Sequence, residues 1–178
     1  MAVGLAVSLA SLAVPTLLAG RDRYRANQAA RHLATVIRDV RGRAIADGHQ
    51  VALRFADDAA SWAAYADGNR NGVRTADIER GIDLAIGSSS RLSEIAPGVQ
   101  FGVLPGTVDI ETGAPLGGGG VRTGAGNWLS FGPSGSSSSG TLYLRGPGSL
   151  QFAVRVFGAT GRVRVFRFDA RQRAWVLP

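Results

Sequence analysis

Residues 1–47 read MAVGLAVSLASLAVPTLLAGRDRYRANQAARHLATVIRDVRGRAIAD, and this stretch decides the fold. Met1 to Gly20 carries no charge and is rich in Ala, Leu and Val; Arg21 is the first charged residue. Roughly 20 apolar residues suffice to cross a bilayer as one helix. Three readings of the run compete. A cleaved secretory signal lacks its basic n-region, and Leu18-Ala19-Gly20 makes a poor cleavage tripeptide. A buried soluble helix draws support from Ser8 and Ser11. A membrane-anchor helix fits best, with Pro15, which has no amide proton, kinking it or marking its exit from the membrane. The arginines after Gly20 would by themselves place the C-terminal side in the cytoplasm.

The second half of the stretch continues without a break. Arg21 to Asp47 has no proline, and its one interior glycine is Gly42. Leu33, Val36, Ile37, Val40, Ala44 and Ile45 recur at helical spacing, so one stripe faces a core, with Arg31, Arg38 and Asp39 off it. Gly48 is placed to end the helix in a left-handed conformation. Joined, the halves make a helix of about 46 residues, roughly 70 Å long. Residues 1–20 are its apolar half and residues 21–48 its amphipathic half.

Working outward, residues 49–178 read as a β-rich domain. Gln50–Phe55, Ser61–Ala66, Val99–Leu104, Trp128–Phe131, Thr141–Arg145, Gln151–Phe157 and Arg162–Asp169 are strand candidates. The acidic turn Asp57-Asp58 separates the first two. Phe152, Val154 and Val156 share one face of a strand. Val163 and Val165 lie on one face of the next, and Arg164, Phe166 and Phe168 on the other. Gly158 to Gly161 has hairpin length. Residues 113–140 hold ten Gly and six Ser and read as flexible loop material. The fold class is α+β: a long N-terminal helix packed on an antiparallel sheet domain.

Composition narrows the function. The 178 residues contain no cysteine and two histidines, His32 and His49. Disulfides, thiolate metal sites and cysteine nucleophiles are excluded, and a His-rich metal site is out of reach. The net charge of +7 is unevenly spread, and every basic residue is arginine. Residues 1–50 carry seven Arg against three acids, residues 51–112 five against nine, and residues 113–178 eight against one. A basic C-terminal third suggests a polyanion as partner.

Three local patterns carry chemical expectations. Asp67, Asn69, Asn71 and Gly72 match the opening of a calcium loop, but position twelve is Ile78, with Asp77 and Glu79 out of register. A β-turn is therefore expected there and no metal. Ser134 is one residue short of a nucleophile elbow, and the histidines read as surface or packing residues, so no catalysis is expected. Gly161-Arg162-Val163-Arg164 puts Arg162 and Arg164 on one face of a strand, about 7 Å apart, near the phosphate spacing of a nucleic-acid strand. Arg155, Arg167, Arg171 and Arg173 lie near in sequence, with Tyr143, Phe166 and Trp175 as stacking partners. Against that stands a general preference for arginine in a lysine-free chain, and the use of arginine to block strand edges.

The order of these elements resembles a known family. Ala6–Pro15, Asp39–Phe55, Trp62–Ile82, Asn127–Pro133, Gly140–Leu144 and Thr160–Val165 together are similar to the H-type minor pseudopilins of type II secretion and the FimT-type minor type IV pilins. The resemblance covers nearly the whole chain. It implies a type IV pilin-like fold and a non-enzymatic filament subunit without cofactors. Its anchor would lie in the inner membrane and its globular domain in the periplasm, opposite to the side the arginine bias suggests. Partners would be other pseudopilins or pilins, near the filament tip. Gly4, Ala6, Ser8, Ser11 and Pro15 would pack against lipid, then against neighbouring helices. DNA-binding FimT-type members carry a G-R-x-R element, which makes DNA uptake through Arg162, Arg164, Arg167 and Arg155 the alternative. The family's leader, glycine cleavage site and Phe-Thr-Leu-Ile-Glu-like start would fall about seven residues before Met1. Prepilin peptidase is a partner only if the true start lies upstream.

Overall fold

The computed structural model describes residues 2–56 and 61–178, and side chains outside residues 1–19 and 57–60. The packing expectations for Gly4, Ala6, Ser8, Ser11 and Pro15, and the turn at Asp57-Asp58, lie outside the described side chains. Helix α1 runs from Ala2 to Asp47 as one element. At 46 residues it is roughly 70 Å long. Among the described residues no helix is long and apolar enough to cross a membrane.

The helix ends where expected: Gly48 adopts φ +68°, which an L side chain resists. Ala26, Ala29, Ala30, Leu33, Ala34, Ile37, Val40 and Ala44 form its buried stripe. Small residues at its N-terminal end bring the backbone close to the sheet, and leucine and isoleucine fill the wider gap beyond. Burial of Leu33 or Ile37 contributes about 2–3 kcal/mol each. Ile45 departs from expectation. It is 46% exposed, because it lies on the last helical turn over the loop at Gly135 rather than over a strand.

The chain then builds two antiparallel sheets. β1 (Val51–Phe55), β2 (Ser61–Ala66), β3 (Leu84–Arg91) and β6 (Trp128–Phe131) form the first, in the order β3-β2-β1-β6. Between them come the short helices α2 (Thr75–Glu79) and α3 (Leu92–Ile95), and the strands β4 (Gln100–Phe101) and β5 (Val121–Arg122). β7 (Gly140–Gly146), β8 (Leu150–Phe157), β9 (Arg162–Asp169) and β10 (Ala174–Val176) complete the second sheet, in the order β10-β9-β8-β7-β4, with β5 also on β7. Both sheets lay an apolar face on α1. Val51, Leu53, Phe55, Leu129 and Phe131 come from the first, and Leu142, Leu144, Phe152, Val154, Val156 and Val163 from the second.

Three strands escape the sequence pattern. β3 (LAIGSSSR) has no apolar alternation, because it is an edge strand with most side chains in solvent. β5 and β10 have two and three residues and exist through their partners. The expected strand Val99–Leu104 shrinks to Gln100–Phe101. Beyond it, the Leu104 amide turns to donate to Gln151 Oε1 at 2.8 Å.

Candidate functional site

The stem is the first element of the site. Described residues ahead of Ala26, from Gly20 to Arg25, are exposed or half-exposed, and Tyr24 is 65% exposed. From Ala26 onward the helix is fixed to the domain by packing and by two arginines. Arg38 Nη2 donates to the Val163 carbonyl at 3.2 Å, and Arg41 Nε donates to the Gly135 carbonyl at 2.8 Å. Arg38 thus reaches the start of β9 and Arg41 the loop between β6 and β7, which ties the C-terminal half of the helix to both sheets.

The arginine cluster expected from sequence divides in the structure. Arg162 and Arg164 share a face of β9, as expected; Arg162 is exposed and Arg164 half-buried. Arg155 lies directly across from Arg164 on β8. It is not free to bind phosphate: its Nη2 is 3.0 Å from Glu111 Oε1, and its guanidinium stacks on Phe157 at 5.1 Å. Arg167 is cross-strand to Phe152, which is buried against α1, so it faces the opposite side of the sheet from Arg162 and Arg164. The stacking partners are withdrawn too. Tyr143 is fully buried, and Trp175 packs on Tyr143 and Phe168 while donating its Nε1–H to the Val108 carbonyl at 2.8 Å. Gly161 has its own task. With φ +61° and the Arg41 side chain and Gly135 carbonyl against its α-carbon, it is the residue that admits Arg41.

What covers the outer face of the second sheet is a strap, residues 102–116, which sequence reasoning left unassigned after Leu104. Gln151, 2% exposed, donates to the carbonyls of Gly102 and Leu144, both at 3.1 Å. The Tyr143 hydroxyl donates to Asp109 Oδ2 at 3.0 Å and accepts from the Ile110 amide at 3.2 Å. Burial, against the opposing Ile110 amide and with the Asp109 charge, pushes the Tyr143 phenol up to about 12. Burial would raise the Asp109 carboxyl, but the amides of Thr112 and Glu111 and the hydroxyls of Tyr143 and Thr112 outweigh it and hold it below its ordinary value. Between the strap and β7 and β8 lies a cleft of 430 Å³, lined by Asp109, Glu111, Arg122 and Arg155 among others.

The Asp67 segment is a bend held by its own carboxylates rather than the expected β-turn between strands, because α2 lies between it and β3. Asp67 Oδ2 accepts from the Gly72 amide at 2.7 Å, and Oδ1 from the amides of Asn69 and Asn71, both at 3.2 Å. Asp83 accepts from Gly68 and Arg74. Asp77 Oδ2 accepts from the side-chain amide of Asn71 at 3.2 Å. The carboxylates are spent on the protein's own amides. Among the described residues no three metal-ligating side chains converge. Ser134 bonds to Ser136 at 2.9 Å, and His32 is exposed on α1.

A continuous helix fused along half its length to two antiparallel sheets defines the pilin-like class of assembly subunit. Comparison with known proteins makes this specific. The family Type II transport protein GspH matches over residues 29–165, most of the chain. The chain belongs to that family, whose members are minor pseudopilins, filament subunits of type II secretion and not enzymes. Two solved structures of the minor pseudopilin EpsH from the type 2 secretion system of Vibrio cholerae share the fold. One is 17% identical with a TM-score of 0.51, covering 80% of this chain and 97% of that one. The other is 16% identical with a TM-score of 0.51, covering 79% and 92%. No curated protein matches the sequence. Neither comparison lends support to the DNA-binding alternative.

Proposed function

We propose that this subunit sits near the tip of a type II secretion pseudopilus, with residues 1–20 in the inner membrane before assembly and among neighbouring helices after it. The globular domain, residues 49–178, then lies in the periplasm, and residues 21–48 join the two. Gly4, Ala6, Ser8 and Ser11 are small enough for close helix approach, and Pro15 interrupts the hydrogen-bond ladder between them and the domain. The observation that carries this reading is the unbroken helix Ala2–Asp47, which starts to bury side chains in the domain only at Ala26 among its described side chains. From Arg21 onward, where it has no proline, such a stem transmits an axial push to the domain without a hinge. Filament growth would be driven by an ATPase elsewhere; this chain supplies helix packing and lateral contacts.

Because the chain has no cysteine, a single introduced thiol reports cleanly. Ser11→Cys in the full chain, expressed with the other pseudopilins, should cross-link to a neighbouring subunit's stem and remain in the membrane fraction before assembly. Recovery of the uncrosslinked chain in the soluble periplasmic fraction would overturn the reading.

A further inference from the structure

At the end of the β-domain from which the stem leaves, the stem and the β9–β10 turn carry five arginines against two acids, Asp22 and Asp169. The position of that end follows from contacts and register. Gly146 lies so close to the stem that an added β-carbon would stand 3.0 Å from that of Ala26. Gly146 pairs with Leu150, and two residues on, Phe152 pairs with Arg167. The β9–β10 turn after Asp169 therefore falls at the same end of the sheet as Gly146. That turn carries Arg171 and Arg173, both exposed. On the stem, Arg21 and Arg23 are exposed and Arg25 is half-buried.

These arginines have no acidic partner: among the described residues the ion pairs are Arg43 with Asp47 and Arg155 with Glu111. The one acid of the turn, Asp169, is occupied as a cap, accepting from the amides of Arg171 and Gln172 at 2.9 and 3.3 Å. Arg21 and Ala26 are five residues apart, roughly 8 Å along the helix. That is about one Debye length at physiological salt, so the stem and turn arginines act on one charged layer. Tyr24, 65% exposed between Arg23 and Arg25, is an amphipathic ring of the kind found at the headgroup level.

We propose that this end of the domain is a phospholipid-binding surface, on which Arg21, Arg23, Arg25, Arg171 and Arg173 hold the phosphates of anionic headgroups while the subunit waits in the membrane. The proposal rests on the reading that residues 1–20 are inserted. It also accounts for arginines on what that reading makes the outer side, against the usual bias. Headgroup contact fixes the height and tilt of the domain before assembly. Guanidinium suits the task, because it binds phosphate through two parallel hydrogen bonds.

The test uses the full chain in lipid nanodiscs, with one fluorophore on Gln172→Cys and, separately, on Ala159→Cys in the turn at the opposite end. Quenching by headgroup-labelled lipid should be strong at 172 and weak at 159 in phosphatidylglycerol discs. It should fall in phosphatidylcholine discs, at high salt, and in Arg171→Gln/Arg173→Gln, which should weaken headgroup contact roughly fivefold per arginine. Equal quenching at 172 in both lipids, or quenching untouched by the double substitution, overturns the proposal. A response at 172 to duplex DNA but not to phosphatidylglycerol overturns it in favour of nucleic acid. If the chain fails to enter discs at all, the insertion reading falls by itself. The surface is then judged by co-sedimentation with sealed vesicles, which must depend on phosphatidylglycerol and on Arg171 and Arg173.

Discussion

Two irregular segments close the β-domain, and they are held in opposite ways. The turn from Asp67 to Asp83 satisfies itself. Its carboxylates accept from amides within the segment itself, Asp67 from two to five residues away and Asp83 from nine and fifteen, and it is anchored from outside by Gln50, whose Oε1 accepts from the Val73 amide at 2.7 Å. The strap from Gly102 to Leu116 makes local bonds around Asp109, but it is held down from outside, by Gln151, Tyr143, Trp175 and Arg155 on the sheet beneath it. One is a folded unit docked on the sheets; the other has its shape imposed by side chains dozens of residues away. The first should be broken by its own residues and the second by residues elsewhere.

The largest effect should come from the first. Asp83 is 2% exposed and accepts from two backbone amides, so Asp83→Ala leaves both without a partner. We expect a loss of about 3 kcal/mol, measured by denaturant unfolding of the full chain in mild detergent. Asp83→Asn keeps one acceptor oxygen and should lose about half of that. Hydrogen exchange in the strap should be unmoved by either change until the whole domain unfolds; early exchange there would break the comparison.

Gln151→Leu keeps the volume but removes the donations to the Gly102, Leu144 and Phe152 carbonyls and the acceptor for the Leu104 amide. We expect about 2 kcal/mol of destabilisation, with the strap exchanging first. If the Asp67 turn loosens in step, the two segments are not independent. Tyr143→Phe strips the Ile110 amide of its acceptor and Asp109 of a donor, for about 1 kcal/mol.

The strap should also be the segment that responds to pH. Tyr143 has a folded pKa raised to about 12 from 10.0, so its contribution is complete below 10.0 and lost as pH rises through about 12. Asp109 is depressed below 3.8, so its contribution is complete above that value and lost as pH falls through the lower folded value. Proteolysis within residues 102–116 should therefore rise at both extremes; Tyr143→Phe should remove the alkaline limb and shrink the acid one, because the Tyr143 hydroxyl is one of the donors to Asp109. Survival of the alkaline limb in the variant would rule out the phenol as its source.

The smallest effect belongs to Glu111→Gln. Glu111 is 66% exposed, and losing its pair with Arg155 should change stability by less than about 0.5 kcal/mol. The same change frees Arg155 beside Arg164. Weak DNA binding that appears only in this variant, by salt-titrated shift assay, would show that the strap is what keeps the basic strand closed.

The same contrast separates what was legible from what was not. The stem could be read because helical spacing from Leu33 to Ala44 and a glycine at 48 are local facts, and β8 and β9 because alternation is local too. The break in the chain at Asp67 could be read because Asp, Asn and Gly satisfy each other within a few residues, although α2 behind it could not. The strap could not. Nothing between Pro105 and Leu116 shows that Tyr143 and Trp175 will bond to it. The arginine cluster failed for a related reason: sequence proximity joined Arg155, Arg162, Arg164 and Arg167, whereas strand parity put Arg167 on the helix side and pairing gave Arg155 to Glu111.

By itself, then, the sequence determined the periodic parts: one long helix, its core-facing stripe and its stop, the best strands, and a charge distribution concentrated in arginine at the stem and the C-terminal third. Periodicity fixes which face a side chain points to, because it depends only on backbone geometry. Tertiary structure alone decided what each face meets. It made β3, β5 and β10 into strands by giving them partners, covered the second sheet with the strap, neutralised Arg155, and brought Arg171 and Arg173 to the same end as Arg21. Those outcomes depend on register and close packing between residues far apart in the chain, which local pattern does not encode.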